Sequence, residues 1–274
     1  MSRSSQKKTS RSLAASHQRS WLWGRYAVME TLTAGRWPIV ELLLDEDLPR
    51  EVIDEAGRLA SAVRLRLQEL PGSRLTELCR TEEHQGFLAR MGEFPCGTFE
   101  DLQQRLRQSQ EERSTEGRNL PPLFVVCDRL QDAHNFGAIL RCCDASQVDG
   151  VIIGERAQVS VTPHVARASS GAVNHLSLYR VPILVEALRE LKTHGVNVLA
   201  ASEKSDGLLW NCDMRGPQAI IVGSEATGIA SELFAEANSP VAIPMLGGVE
   251  SLNAAVATGI VLYECRRQQM SEQA

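Results

Sequence analysis

The sequence predicts an α/β protein with a small N-terminal domain followed by a larger domain built on a parallel sheet. Over residues 121–267, short apolar runs alternate with amphipathic stretches, which is typical of a parallel sheet with helices on both faces. A shorter alternation occupies residues 21–90, and the almost wholly polar residues 108–119 separate the two. The predicted organisation is a disordered basic tail (1–20), a first domain (21–95), a linker (96–120) and a second domain (121–274).

The composition is that of a globular protein, with 43% hydrophobic and 23% charged residues in 274. Apolar runs fall short of the roughly 18 residues that a membrane helix needs, and the N-terminus lacks the apolar stretch of a secretory signal. The seven cysteines do not have the spacing of metal ligands. We therefore expect a cytoplasmic protein without a membrane segment or a bound metal.

The charge is unevenly distributed along the chain. The whole chain has a net charge of −5, whereas the charged residues of the tail are all basic. These charges are Arg3, Lys7, Lys8, Arg11 and Arg19. A basic, Ser-rich segment with few apolar residues cannot bury enough surface to fold by itself. Two interpretations stay open for it: contact with RNA phosphates, or a solvated tail without a role.

The first domain shows clear boundary signals. Apolar residues at helical spacing end at Gly35, and a β-branched run lies between Pro38 and Asp45. The predicted elements are the helices Tyr26–Leu32, Glu51–Val63 and Arg74–Leu78, and the strands Ile39–Leu44, Val63–Leu67 and Gly86–Arg90. The linker begins with a polar helix candidate, Phe99–Arg107.

The second domain contains a longer series of strands and helices. The predicted strands are Leu123–Cys127, Val151–Ile153, Ser177–Val181, Asn197–Ala201, Ala219–Val222 and Val241–Ile243. The predicted helices are Asn135–Ala145, Val165–Ser170, Leu184–His194, Ser231–Ala235 and Leu252–Arg267. Arg266 and Arg267 suit the negative C-terminal end of the last helix.

Three segments that directly follow strands are candidates for a ligand site, since ligands of parallel sheets bind at the carboxyl ends of strands. They are residues 127–141, 220–229 and 243–253. In the first, Asp132 or Asn135 can cap the helix that follows, and in the third Ser251 is a good N-cap. The glycine pattern G-x-G-x-x-G is absent from the chain, which argues against a nucleotide-binding dehydrogenase.

Together these segments read D-R-x-x-D-x-H-N-x-G-A-I-x-R, V-G-S-E-x-x-G and I-P-M-x-G-x-V-x-S-L-N-x-x-V-A. The set resembles the three motifs of the SpoU (TrmH-like) family of RNA 2′-O-ribose methyltransferases in the SPOUT superfamily. Gly24–Val28 and His84–Gly86 resemble the substrate-binding domain of the subgroup that methylates a guanosine of 23S ribosomal RNA.

The resemblance implies a SPOUT catalytic domain with a C-terminal trefoil knot and a ribosomal-protein-like first domain. It also implies S-adenosylmethionine as the cofactor, RNA as the substrate, and a homodimer whose last helix lies at the interface. The position-by-position match assigns catalytic roles to Arg141, Asn135, Glu225, Ser251 and Asn253. It assigns cofactor contacts to Gly223, Ile243, Leu252, Ala201, Ser202, Met245 and Gly247, and RNA contacts to Arg25, His84 and Arg129.

Arg141 matches the residue that the family uses to remove the 2′-hydroxyl proton. A guanidinium has a pKa above ~12, so a free arginine is a poor base. Either an RNA phosphate assists the proton transfer, or Arg141 positions phosphate and stabilises the charge that develops on the oxygen. The sequence leaves both possibilities open.

Two departures from the family pattern lie near these motifs. Cys142-Cys143 replace small residues and are interpreted as packing, and Asn174 occupies a position where a carboxylate is common. Two other functions remain possible, namely transfer RNA methylation and RNA binding without catalysis. The separate first domain favours ribosomal RNA, and the intact polar positions favour catalysis.

Overall fold

The computed structural model describes residues 20–114 and 120–271, so the predicted tail lies outside the described residues except for Ser20. The described chain forms two compact units. The first unit comprises the chain up to Pro95 together with Val161–His175, and the second comprises Cys96–Ser160 and the chain from Leu176 onward. No helix among the described residues is long and apolar enough to cross a membrane.

The first unit contains a four-stranded mixed sheet in the order β1-β4-β2-β3. Its elements are β1 Trp21–Trp23, α1 Arg25–Ala34, β2 Ile39–Asp45, α2 Arg50–Ala62, β3 Leu67–Leu70, α3 Gly72–Cys79 and β4 Phe87–Met91. β4 pairs antiparallel with β1 and β2, whereas β3 lies parallel to β2. Trp21, Leu43, Leu75 and Leu88 form a buried cluster that joins the sheet to α3.

The largest differences from the sequence prediction in this unit concern β1 and β3. β1 was not predicted, because three residues are too few to show strand periodicity. β3 begins at Leu67 rather than Val63, since Arg64 adopts a left-handed φ of 57° in the turn after α2. The predicted end of α1 is confirmed: Gly35 closes the helix at a φ of 62°, a conformation that glycine adopts easily.

The second unit contains a six-stranded sheet in the order β10-β8-β9-β5-β6-β7. All five neighbouring pairs are parallel, which confirms the predicted α/β class. The strands are β5 Leu123–Cys127, β6 Gly150–Gly154, β7 Leu178–Val181, β8 Asn197–Ala201, β9 Gln218–Val222 and β10 Ser239–Val241. The helices of this unit are α4 Phe99–Ser114, α5 Ala133–Ala145, α7 Leu184–Thr193, α8 Ser231–Glu236 and α9 Ala254–Ser271. The trefoil knot remains a prediction from the family resemblance.

The segment predicted as a linker differs in the structure. α4 continues past its predicted end at Arg107 to Ser114, and its Leu102 and Leu106 are buried in the core of the second unit. Arg105 also donates to Asp149 Oδ1 at 3.0 Å, and Asp149 Oδ2 accepts from the backbone N–H of Leu123. Residues 99–114 are therefore a packed helix of the second unit, and residues 115–119 lie outside the described residues.

The ends of the last helix also differ from the prediction. α9 begins at Ala254, and its N-cap is Asn253, whose Oδ1 accepts from the N–H groups of Ala255 and Val256 at 2.9 and 3.4 Å. Ser251 is therefore not the cap, because it lies three residues before the first helical residue.

The prediction that Arg266 interacts with the C-terminal end of its own helix was wrong. Its guanidinium is buried and donates to the carbonyls of Ser146 and Gln147 at 2.7 and 2.6 Å. These carbonyls lie at the C-terminal end of α5, where the helix dipole is negative. Arg267 pairs instead with Glu264 of its own helix.

Val161–His175, which lies between β6 and β7 in the chain, belongs to the first unit. It contains α6 Pro163–Ala168, whose N-cap Thr162 accepts from Val165 N–H. The Arg167 guanidinium stacks over the Trp23 ring at 4.2 Å and reaches Glu83 at 3.5 Å. A part of the chain that the sequence assigns to the second domain thus packs with the first unit.

Candidate active site

The strand order of the second unit places the three candidate segments side by side. β10, β8, β9 and β5 are consecutive neighbours and run in the same direction, so the segments that follow them leave the same edge of the sheet. The three candidate segments contain the predicted catalytic residues, with Arg141 at the far end of the first, and the end of β8 adds the predicted cofactor residues Ala201 and Ser202. This edge is the candidate active site.

A chain of side-chain hydrogen bonds connects the three motifs. Asn253 Nδ2 donates to Asn135 Oδ1 at 2.8 Å, and Asn135 Nδ2 donates to Glu225 Oε1 at 2.9 Å. Asn253 Oδ1 is already occupied by the N-terminal N–H groups of α9, which determines which way its amide faces. This cap therefore determines the donor-to-acceptor direction of both hydrogen bonds, and each side-chain amide has one orientation.

Helix α5 begins at this site because Asp132 caps it. Asp132 Oδ1 accepts from the N–H of Asn135 at 2.7 Å, which places Asn135 in the first turn. Arg141 lies six residues further along the same helix and is exposed. In a regular helix this spacing is about 9 Å along the axis and about 120° around it. Arg141 and Asn135 therefore lie on different faces of α5.

The second motif forms a closed turn, residues 223–230, here called the 223–230 turn. Gly228 N–H donates to Ser224 O at 2.8 Å, and Ser224 N–H donates to Gly228 O at 3.2 Å. A Cβ on Gly223 would overlap the backbone of Gly228 and Ile229, so only glycine fits there. Glu225, between the two bridged residues, is exposed apart from its bond to Asn135.

The predicted cofactor residues come from three adjacent strand ends. Ala201 ends β8 and Ser202 follows it, Gly223 follows β9, and the remainder follow β10, namely Ile243, Met245, Gly247 and Leu252. Ser202 N–H donates to Val241 O at 2.9 Å, which ties the first of these segments to the third. Half-buried apolar side chains and a glycine-rich backbone fit the adenine and sulfonium groups of S-adenosylmethionine. Ser251 is exposed in the third segment and contributes a hydroxyl.

The residues predicted to contact RNA in the first unit have different environments. Arg25 is exposed, and its backbone N–H donates to Gln85 Oε1 at 3.1 Å, so the two matching segments meet. His84 is only 8% exposed. Its Nδ1 accepts from Gly86 N–H at 3.0 Å, so Nε2 carries the proton and faces Thr76 Oγ1 at 3.0 Å. Both ring nitrogens are used inside the unit, which disfavours the direct RNA contact predicted for His84.

Arg129 is also engaged within its own unit. Its guanidinium forms two hydrogen bonds with Asp128, at 2.9 and 3.1 Å, and a third with Gly228 O at 3.3 Å. The bond to Asp128 raises the pKa of Arg129 above its usual value. Sequence reasoning assigned no role to Asp128, although a carboxylate directly after a buried strand was a usable signal.

The departures from the family pattern have structural explanations. Cys143 is fully buried, and its pKa is raised by burial, which agrees with a packing role. Cys142 packs against α9, with its Sγ 3.3 Å from where a Cβ of Gly259 would lie. Asn174 is buried and donates to Thr31 Oγ1 at 3.2 Å, while Thr31 donates to Ala27 O. A carboxylate at position 174 could not donate this bond.

Known proteins match both parts of the chain. Residues 122–263 match the SpoU rRNA Methylase family, and residues 21–95 match the model for RNA 2′-O ribose methyltransferase substrate binding. A TrmH family tRNA/rRNA methyltransferase of Bacillus subtilis (strain 168) is 31% identical over 253 residues, covering 92% of this chain and 97% of the relative. Another from Staphylococcus haemolyticus (strain JCSC1435) is 36% identical over 247 residues, covering 89% and 94%.

The fold has solved counterparts. The SpoU methyltransferase AviRb from Streptomyces viridochromogenes, crystallised with AdoMet, has a TM-score of 0.72 at 24% identity and covers 92% of this chain and 90% of its own. The two matched regions define the class as an RNA methyltransferase with its own substrate-binding domain. The chain belongs to the SpoU methylase family, whose members use S-adenosylmethionine, and the predicted family is confirmed.

Proposed function

We propose that this protein transfers a methyl group from S-adenosylmethionine to the ribose 2′-hydroxyl of a guanosine in 23S ribosomal RNA. The observation that carries this proposal is the hydrogen-bond chain from Asn253 through Asn135 to Glu225, which joins the three family motifs. Such a preorganised polar site can orient a hydroxyl group beside a bound methyl donor.

The cofactor supplies the reactive methyl group, and the protein contributes binding and electrostatics. We assign its binding to the ends of β8, β9 and β10, with Ile243 and Leu252 as apolar contacts and Gly223 as a backbone contact. Asn135 and Glu225 orient the ribose, and Ser251 supports the bound RNA. The cationic Arg141 binds the phosphate beside the reacting ribose and stabilises the charge on its 2′-oxygen. This role does not require Arg141 to lose a proton.

We also propose a homodimer with α9 at its interface. Val256, Tyr263 and Met270 recur every seven residues along this helix, and each is more than half exposed. Residues seven apart lie on nearly the same face, so the three form an apolar stripe. The opposite face, with Ala255, Val261, Leu262 and Cys265, is buried. The family resemblance implies that a second copy of the chain packs against this stripe.

The choice of ribosomal RNA is supported by the first unit, which matches the substrate-binding model over residues 21–95. Transfer RNA is the second candidate, since the relatives from Bacillus subtilis and Staphylococcus haemolyticus carry both RNAs in their descriptions. An RNA-binding protein without catalysis is disfavoured, because all five predicted catalytic positions are intact. No disulfide joins the seven cysteines, all of which lie among the described residues, and this supports a reducing cytoplasm.

The decisive experiment maps 2′-O-methylated nucleotides in ribosomal and transfer RNA from the source organism with and without the gene. We expect one guanosine of 23S ribosomal RNA to lose its methyl group, and the purified protein with S-adenosylmethionine to restore it. Loss confined to transfer RNA would select the second candidate. An unchanged map, together with no methyl transfer in vitro, would exclude both.

A further inference from the structure

We propose that Asp128 and Arg129 form a positioning pair that holds the 223–230 turn in the geometry needed for cofactor binding and for Glu225. This inference rests on the proposed function and deepens it, because it assigns a role to two residues outside the presumed catalytic set. It also replaces the direct RNA contact predicted for Arg129.

Asp128 is the anchor of the pair. It directly follows β5, and its side chain is only 3% exposed. Its Oδ2 accepts from the backbone N–H of Ala230 at 2.7 Å, and both of its oxygens accept from Arg129. A buried carboxylate needs such partners, because an unpaired buried charge is strongly unfavourable. The carboxylate therefore attaches the end of the 223–230 turn to the end of β5.

Arg129 holds the same turn at a second point. Its guanidinium donates to Gly228 O at 3.3 Å while it pairs with Asp128. Arg129 has a left-handed φ of 55°, an uncommon conformation for a residue with a Cβ. In this conformation the guanidinium lies beside the carboxylate of Asp128. A planar group with several donors can bond to that carboxylate and to the Gly228 carbonyl at the same time.

The position of the two anchors explains why they matter for the site. Gly228 is bridged to Ser224, and Gly223 lies in backbone contact range of Gly228 and Ile229. Movement at Gly228 or Ala230 would therefore displace both the predicted cofactor contact and Glu225. Asp128 and Arg129 bond to the backbone of the turn and affect the cofactor contact and Glu225 only through the turn. They are therefore positioning residues.

Arg129→Gly is the most direct test. Glycine adopts a φ of 55° without strain, so this change removes the guanidinium without a new backbone penalty. The matched control is Arg64→Gly, because Arg64 is also left-handed, with a φ of 57°, but is exposed and lies in the first unit. For the full-length chain we would measure the Kd for S-adenosylmethionine by calorimetry, kcat and KM with RNA, and the melting temperature.

We expect Arg129→Gly to weaken cofactor binding about tenfold and to lower kcat by a similar factor, consistent with losing charge-assisted hydrogen bonds. Its KM for RNA should stay within twofold, whereas loss of an RNA contact would raise KM and leave cofactor affinity unchanged. Arg129→Lys should recover part of the affinity, and Arg64→Gly should bind the cofactor like the wild type. Amide hydrogen exchange at Gly228 and Ala230 should accelerate in Arg129→Gly.

The proposal is overturned if folded Arg129→Gly keeps both cofactor Kd and kcat within twofold of the wild type, or if only KM for RNA changes. Should Arg129→Gly not fold, Asp128→Asn decides in its place, since it keeps an acceptor for Ala230 but loses the ion pair. Unchanged affinity and turnover in that variant would equally overturn the proposal. Wild-type protein that binds the cofactor but methylates no RNA would refute the proposed function, while the affinity measurements would still test the pair.

Discussion

Asn135 and Glu225 are 90 residues apart in the chain, yet the Asn135 side-chain amide donates to Glu225 Oε1 at 2.9 Å. This bond joins the first turn of α5 to the turn after β9. It forms because β5 and β9 are parallel neighbours, with Cys127 opposite Val222 at their carboxyl ends. The site thus depends on strand order, which brings distant motifs into contact.

Replacing Asn135 with Asp should lower kcat on the order of 100-fold, the effect of removing one preorganised donor. The new carboxylate would face Glu225 and repel it. Of the two side-chain hydrogen bonds that join the motifs, only the one donated by Asn253 would remain. Gln104→Ala, at an exposed amide on α4, is the control and should leave kcat unchanged. Steady-state methyl transfer measures both, and an Asn135→Asp enzyme with wild-type kcat would contradict the assigned role.

Arg141→Ala should lower kcat by roughly 10²–10³ while the Kd for S-adenosylmethionine stays within twofold, because Arg141 is assigned to phosphate and transition-state charge. Arg141→Lys should keep part of this activity through its charge. Methyl transfer and calorimetry on the same preparations separate the two quantities. Full activity of Arg141→Ala with normal cofactor binding would remove Arg141 from the catalytic group.

Arg266→Met should lower the free energy of unfolding by about 3 kcal/mol, since it removes the donor of the buried Ser146 carbonyl and of the Gln147 carbonyl. Arg267→Met is the matched control on the same helix, because Arg267 is exposed and pairs with Glu264 three residues earlier. Loss of this pair should cost less, about 1 kcal/mol, because Arg267 is exposed and the buried Glu264 keeps its bond from Gln268. Urea unfolding measures both variants, and equal losses would disprove the capping of α5 by Arg266.

Stability should fall at alkaline pH because of buried thiols. Burial raises the pKa of the Cys127 thiol to about 12, so the folded state keeps the proton while the unfolded state loses it above its ordinary value of 9.0. The contribution is fully present below pH ~9 and decreases by about 1.4 kcal/mol per pH unit until the folded pKa is reached. Urea unfolding from pH 8 to 11 should show a shallower decline for Cys127→Val. The same slope in both proteins would contradict this.

Tyr263→Lys should convert the proposed dimer into a monomer, because a charge would lie in the middle of the apolar stripe on α9. The control is Arg267→Lys, which keeps the charge of an exposed residue next to the stripe. Light scattering coupled to size-exclusion chromatography gives both masses. A monomeric wild-type protein, or a dimer that survives Tyr263→Lys, would refute the proposed interface.

Much of the fold could be predicted locally. The predicted bounds of β5 and β8 are confirmed, because their apolar runs are fully bounded by polar or turn residues. Other boundaries were set by partners elsewhere in the chain. α4 extends seven residues beyond its predicted end at Arg107, where Ser109 is buried and Gln110 donates to His194 O at 3.4 Å. Likewise the N-cap of α9 is Asn253 rather than Ser251, although Ser251 has the better local signal.

The sequence alone determined the class, the parallel sheet and the three motifs, because local periodicity and residue spacing are written along the chain. It could not determine which polar groups use each other. The tertiary structure decided that Asn135 bridges Glu225 and Asn253, that Arg266 caps α5, and that Arg129 is bound to Asp128. The physical reason is that a buried or closely packed polar group must find partners, and these partners are supplied by strand order and packing rather than by neighbours in sequence.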